Sequence, residues 1–461
     1  MLRWLLALLG LIVLTTGGAF IVAGRIAPPA IAIDRPDKAV GQQGELQVSV
    51  SAPAGSLTGL TISVEQDGTT VPLFTLDAPQ SASVGTPSGD VVRVVRPFGK
   101  ASIPQLQQGK ATLHVTATRT SFLNLRQRSA RASKDVHVQL DPPRIAVLST
   151  HHYVNHGGAE MIVYRATPPD VQSGVRVGDV EYLGFPAAGM GIANATPALK
   201  VAFFALLHDQ DVRAPIVAFA RDQAGNEATA SGFIDNVFEK PSKRSRIAID
   251  DRFLGRVVPE ILEHSPEIKS AGSGLVTDFL EENGRLRRLN AVTIAALTAA
   301  TSPTRLWEGA FTQLGNSQVE ASFADHRTYV YNNKDIDQQT HLGFDLAVTS
   351  RVPLAAANSG VVVNASWLGI YGNCVIIDHG MGVASLYGHL SSVDVKVGDR
   401  VTKGQMLGRS GMTGLAGGDH LHFTMLVGGH PVNPVEWWDA HWVQDRVERK
   451  LRAAGDANAQ P

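Results

Sequence analysis

Two histidines one residue apart, His420 and His422 in the run Gly-Asp-His-Leu-His-Phe, lie downstream of a second cluster, His341-Leu-Gly-Phe-Asp345. Residues i and i+2 of a strand share a face, so both imidazoles of His-Leu-His can point into one site. His341 and Asp345 add one nitrogen and one carboxylate oxygen. Two histidines and one carboxylate with a fourth position open form a donor set used by hydrolytic zinc. A further imidazole, His389, ends the apolar run Leu386-Tyr-Gly-His-Leu390. Bound zinc lowers the pKa of water towards roughly 7 and polarises a scissile carbonyl. A neighbouring histidine can take the water proton and return it to the leaving amine, and another can donate to the developing oxyanion.

These side chains need a rigid frame. From about Phe311 the chain reads as short strands with glycine-rich turns, among them Gly360–Asn364, Cys374–Asp378 and Gly382–Tyr387, which predicts a compact antiparallel β domain over 311–442. The loop Gly411–Gly418 has no following Lys-Ser/Thr and leads into a strand, so its glycines serve close backbone approach beside a cleft rather than phosphate binding. Upstream, Leu275, Val276, Phe279, Leu280, Leu286, Leu289, Val292 and Ala296 recur at helical spacing, with Gly284 expected to divide two helices. They predict a helical connector over 247–305, which could lie over the cleft and restrain it.

Ahead of the connector, period-two runs such as Glu45–Ser51 and Ala111–Ala117 predict a β-sandwich over 31–140. A second, immunoglobulin-like β domain is expected over 141–239, with a strand at Pro215–Asp222 entering a turn. The fold class is therefore mainly β and multidomain, closed by a polar tail at 443–461. At the other end, Trp4–Ala23 is apolar and free of charge between Arg3 and Arg25. About 20 such residues can cross a bilayer as a helix, so 1–24 is read as a transmembrane signal anchor. A cleaved signal peptide with Gly17-Gly18-Ala19 as its processing site is the other reading. Either way the remainder is expected outside the cytoplasm.

At 461 residues, 44% of them hydrophobic and 18% charged, the chain is globular and long enough for about three domains. A net charge of -1 gives no reason to expect a nucleic-acid partner. The single cysteine, Cys374, excludes an intramolecular disulfide and reads as a buried small hydrophobe. His379 reads as structural. The cluster His151-His152-Tyr153 with His156 has no carboxylate or cysteine suitably close and is not expected to bind metal.

The segments His341–Asp345, Asp378–Gly380, Leu386–Leu390, Val397–Val401, Gly404–Gly408, Ser410–Gly414 and His420–Phe423, closed by Val432-Asn-Pro434, resemble the lysostaphin-like zinc endopeptidases of peptidoglycan, the peptidase M23 or LytM-type domain. They stand in that family's order over roughly a quarter of the chain. The resemblance implies zinc on His341, Asp345 and His422, with His389 and His420 flanking the bound water. It further implies peptidoglycan cross-links as substrate, D,D-endopeptidase action, and a periplasm-facing enzyme held at the inner membrane. The β units would position it or bind an envelope protein partner. Asp419 stands where the family often has proline and Thr424 where glutamate is common; neither is expected to touch a ligand. A catalytically silent scaffold that activates another wall hydrolase is the competing reading, disfavoured because all five site positions are filled.

Overall fold

A computed structural model describes residues 2–23, 27–52, 57–77, 83–88, 90–121, 126–241, 243–270 and 272–459. Two compact units emerge, one of residues 1–143 with 221–228, the other of 144–220 with 229–461.

The first unit is a two-sheet β structure. One sheet takes the strands Ala30–Arg35, Glu45–Ser51, Val91–Pro97 and Ser83–Ser88 in that order; the other takes Ala39–Val40, Arg126–Val138, Gly109–Ser121, Leu57–Gln66 and Thr69–Thr75. Alternate residues Leu46, Val48 and Val50, Leu60, Ile62 and Val64, and Leu113, Val115 and Ala117 are buried in one core. That is the pattern of strands each giving one face to a shared interior. The same unit contains the helix Leu2–Ala23, whose Leu6, Leu8, Leu9, Leu11, Ile12 and Leu14 are exposed. Among the described residues no helix is long and apolar enough to cross a membrane. Arg25, which flanks the expected span, lies outside the described residues.

In the second unit, a four-stranded sheet ordered 144–147, 159–167, 199–205, 185–186 and the neighbouring strands 180–183, 172–177 and one beginning at 216 precede the region of the expected site. That region is built on an eight-stranded sheet whose pairings are antiparallel throughout. One hydrophobic core runs from Val154 and Phe204 through Trp307 and Phe311 to Trp437. Phe203, Trp307, Phe311 and Trp437 pack with ring centroids 5.5–6.3 Å apart. The carboxylate of Glu436 accepts from Asn155 Nδ2 and the Ala159 amide at 2.7 Å each. Where only a polar tail was expected, the chain is helical through Ala459, and buried Lys450 Nζ reaches Glu160 Oε1 at 2.7 Å.

The connector holds the helices Asp251–His264, Leu275–Glu281 and Arg287–Thr298. Asp250 caps the first, its side chain accepting from the Phe253 amide. Gly284 does not divide the later two. It sits inside a π turn, Glu282–Leu286, through which the helix continues. A π turn holds one residue more than an α turn, so the apolar periodicity slips. Phe279 and Leu286 are buried as expected, whereas Val292 is 69% exposed and the buried face continues through Asn290, Ile294 and Thr298. The strand Arg244–Ile249, not foreseen, pairs in parallel with Asp325–Tyr331.

Glu282 in the π turn is fully buried, and neither carboxyl oxygen has a hydrogen-bond partner. Burial, with the Asp278 carboxylate as a smaller cause, pushes its pKa up from 4.5 to about 9. Between those values the folded chain keeps a proton that the unfolded chain has released. Stability therefore falls as pH rises through this window, the full penalty being reached above the folded value. Glu282→Gln removes this titration. Thermal unfolding followed by circular dichroism is expected to place the variant above the wild type at pH 8.5 and close to it at pH 4.5. Parallel pH dependences of the two proteins would contradict this account.

Candidate metal centre

His420 and His422 stand on the fully buried strand His420–Val427. The strand Phe344–Ala347 on one side places Asp345 opposite His422, and the strand Val383–Leu390 on the other places Gly388 there, with His389 next in line. His341 ends the strand Lys334–His341, just before the turn into Asp345. Three neighbouring strands of the eight-stranded sheet and the end of a fourth strand, from a separate three-stranded sheet, thus bring these five side chains together. His389 sits at a φ of 66°, a left-handed conformation that costs a side-chain-bearing residue energy, and its Nδ1 is tied to the Thr413 carbonyl at 2.8 Å.

His341 Nε2 lies 2.9 Å from Asp345 Oδ1 and 3.1 Å from His422 Nδ1, and His422 Nδ1 lies 3.0 Å from Asp345 Oδ1. All three residues are buried, and they form a group able to hold a metal ion. Their surroundings fix the ring protons. His341 Nδ1 faces the Ser322 carbonyl at 3.1 Å and must donate to it. Thr424 Oγ1 donates to the Leu342 carbonyl at 2.9 Å, so at 3.0 Å from His422 Nε2 it accepts. In the neutral rings the remaining nitrogens, His341 Nε2 and His422 Nδ1, aim lone pairs at a carboxylate oxygen. Three lone pairs about 3 Å apart repel one another unless a cation lies between them, and this donor set fits a divalent metal.

Burial alone would raise the Asp345 pKa. The adjoining imidazoles, His341 first and then His420 and His422, act against it and hold it well below the usual carboxylate range. Its second oxygen accepts from Arg327 Nη2 at 2.7 Å, leaving Oδ1 for the cluster. Burial lowers the His422 pKa to about 4, which favours the neutral ring a metal requires.

His420 Nδ1 donates to the Gly418 carbonyl at 2.9 Å, and its Nε2 lies 3.5 Å from Asp345 Oδ1. The His389 and His420 rings are 4.8 Å apart between centroids. Burial, then the neighbouring histidines, push the His389 pKa well below its ordinary value. For His420 burial acts in the same sense but is outweighed by Asp345, so its pKa is raised. Together the five residues line a cleft of about 560 Å³.

Arg327 was not singled out from sequence. Its signal was the face Asp325, Arg327, Tyr329, which shares one side of a strand paired with that of His341. Thr424 requires a correction, because it touches a metal-site residue directly through His422 Nε2. A Cβ on Gly343 would fall 2.5 Å from His422 Nε2 and 2.6 Å from Thr424 Oγ1, so the glycine of His-Leu-Gly-Phe-Asp makes room for that contact. Asp419 ties down a loop, accepting from Ser410 Oγ at 2.6 Å and the Arg351 amide at 3.1 Å.

His379 is fully buried between the Ser359 carbonyl and Ser385 Oγ, each at 2.7 Å, as a structural histidine should be. Cys374 is buried and its thiol pKa is pushed up by that burial. His152 bonds Ser149 Oγ and the Phe233 carbonyl, and His156 the Gln210 carbonyl. Among the described residues these histidines form no metal-holding group.

The model of Peptidase family M23 matches residues 339–434. Over 95 residues the chain is 41% identical to the DD-carboxypeptidase/endopeptidase Mpg of Neisseria meningitidis serogroup B, covering 21% of this chain and 22% of that protein. Over 96 residues it is 41% identical to the peptidoglycan DD-endopeptidase ShyA of Vibrio cholerae, with the same two coverages, 21% and 22%. The chain thus spans about a fifth of the length of these curated relatives. Among solved structures it is similar to the catalytic domain of the antimicrobial peptidase lysostaphin from Staphylococcus simulans, at 28% identity and a TM-score of 0.25, covering 28% of this chain and 98% of that one.

Proposed function

We propose that this chain, whose residues 339–434 form a Peptidase M23 domain, is a zinc-dependent endopeptidase that hydrolyses peptide cross-links of peptidoglycan at D,D bonds. One observation carries the reading: His341, Asp345 and His422 converge three lone pairs on one point, with two further imidazoles beside them. His341 Nε2, Asp345 Oδ1 and His422 Nδ1 would hold the zinc. When bound, the metal polarises the scissile carbonyl and makes water more acidic. His389 and His420 each have Nδ1 committed to a backbone carbonyl, so Nε2 is the atom left to move a proton or to donate to a developing oxyanion. Arg327 and Thr424 are positioning residues, acting through Asp345 and His422.

The names of the relatives support the choice of D,D bonds. The helix Leu2–Ala23 falls short of what a membrane crossing needs, but its exposed apolar side chains support attachment of this end to a membrane, which would set the rest of the chain in the periplasm. The two β units would be immunoglobulin-like modules that place the enzyme or bind an envelope protein. Digestion of purified sacculi tests the function. Soluble muropeptides cut at D,D cross-links are expected from the native protein, none after removal of metal by a chelator, and their return on adding zinc. Sacculi left intact by the zinc-loaded protein would overturn the reading in favour of a silent scaffold.

A further inference from the structure

One wall of the cleft comes from residues that precede the matched family region. Lys243 and Ser245, from the strand Arg244–Ile249 and its lead-in, and Arg287, from the start of the helix Arg287–Thr298, all line it. This wall is built into the molecule. Its strand pairs with Asp325–Tyr331, Ser245 Oγ donates to Asp325 Oδ2 at 2.7 Å, and the buried Asn290 side chain accepts from the Ile370 amide at 3.0 Å.

Arg287 is the uncompensated charge of that wall. Its Nε and Nη2 donate to the carbonyl and side-chain oxygen of Asn283, at 3.2 and 2.6 Å. Asn283 is fully buried, and its amide donates to Asp337 Oδ2 at 2.7 Å, so the guanidinium is held from behind by a fixed neutral group. No carboxylate of a described residue pairs with Arg287, whereas Arg327 in the same cleft is committed to Asp345. Of the acids that line the cleft, Asp345 is committed to Arg327, Asp325 accepts from Ser245 through Oδ2 and leaves Oδ1 without a hydrogen-bond partner, and none of Glu320, Asp325, Asp345 and Asp419 forms an ion pair with Arg287 among the described residues. Arg287 lines the same cleft as Tyr371, whose ring lies 5.3 Å from that of His422, and as His422 itself. Lys243 adds a second cation at the exposed rim. A half-buried guanidinium with a free edge and, among the described residues, no paired carboxylate is suited to a carboxylate from outside the protein.

We propose that Arg287, assisted by Lys243, binds a free carboxylate of the peptide substrate. The connector is then part of the substrate site, and the enzyme selects anionic peptides over their amidated counterparts. This rests on the reading of the cleft as a peptidase site. The test uses two matched cross-linked peptides, one with free carboxylates and one with those groups amidated, given to the zinc-loaded full chain. A hydrogen bond to a charged group is worth enough for a discrimination of roughly 10–100-fold in kcat/KM, and the wild type is expected to favour the free acid by that factor. In Arg287→Gln that ratio is expected to fall to near unity, mainly through a higher KM for the acid, with zinc content unchanged. Arg287→Lys should recover part of it, and Lys243→Gln should lower it by a few-fold. Partially amidated peptides, blocked either at the side branch or at the C-terminus, identify which carboxylate is read. A wild type that does not discriminate, or equal losses on both peptides in Arg287→Gln, would overturn the proposal. Should neither peptide be cleaved, the peptidase reading fails first. Calorimetric binding of the same two peptides then decides the subsite without turnover: tighter binding of the acid that vanishes in Arg287→Gln supports it, and equal binding removes it.

Discussion

Replacing His422 by alanine is expected to strip the metal from the protein and to lower hydrolysis of sacculi by more than about a thousandfold, since a Lewis-acid metal supplies several kcal/mol of transition-state stabilisation. The geometry explains why His341 and Asp345 cannot compensate. Without the third donor, Asp345 keeps its ion pair with Arg327 at 2.7 Å, and the remaining imidazole of His341 can share a proton with Oδ1, 2.9 Å away. The site would then be a closed hydrogen-bonded pair rather than a metal-binding trio. The fold is expected to survive. His422 is neutral in its buried setting, its pKa being lowered to about 4, so its removal strands no buried charge. Metal content by mass spectrometry, thermal unfolding and sacculus digestion measured on one preparation check the three parts separately. A folded variant that retains one equivalent of metal and activity within tenfold of the wild type would remove His422 from the ligand set.

The convergence of His341, Asp345 and His422 was legible in the sequence because strand geometry converts spacing into direction. His-Leu-His puts two imidazoles on one face, and the register Asp345 opposite His422 completes what the spacing implied. Ring tautomers were not legible. They depend on Ser322, Leu342 and Thr424, whose contacts with the site come from loop closure and from a strand two residues further on. Arg327 escaped for a related reason. An arginine in an alternating strand resembles an ordinary solvated residue until the pairing of Asp325–Tyr331 with Lys334–His341 sets it behind Asp345.

The connector shows the opposite failure. Its helical period was visible, but the π turn at Glu282–Leu286 shifts the phase, so Val292 faces outward while Asn290 and Ile294 face inward. An apolar count does not register that shift. Glu282 and Asn283, polar residues in a buried turn, are where the packing departs from the simple pattern, and Asn283 is the residue that holds Arg287. Departures from local sequence rules often coincide with groups committed to a function.

Removing His389 or His420 is expected to separate catalysis from metal binding. Each alanine variant keeps His341, Asp345 and His422 and should retain its metal, while kcat falls by about 10²–10⁴-fold, the usual contribution of a positioned acid–base group. The two residues are held in different ways. His389 pivots on the Thr413 carbonyl from a left-handed backbone, whereas His420 is braced by the Gly418 carbonyl and faces Asp345 Oδ1 at 3.5 Å. His420→Ala therefore also removes a contact to a metal-site carboxylate, so a modest weakening of metal affinity is expected there and not in His389→Ala. If the two imidazoles serve one proton path, the double variant should lose little more than the worse single variant, because groups that act as a unit are not additive. If one moves the proton and the other independently stabilises the oxyanion, the losses should multiply. Single-turnover rates for the four proteins at matched metal loading distinguish these cases. Unchanged kcat in either single variant would withdraw that histidine from the chemistry and leave its strand position without a catalytic explanation.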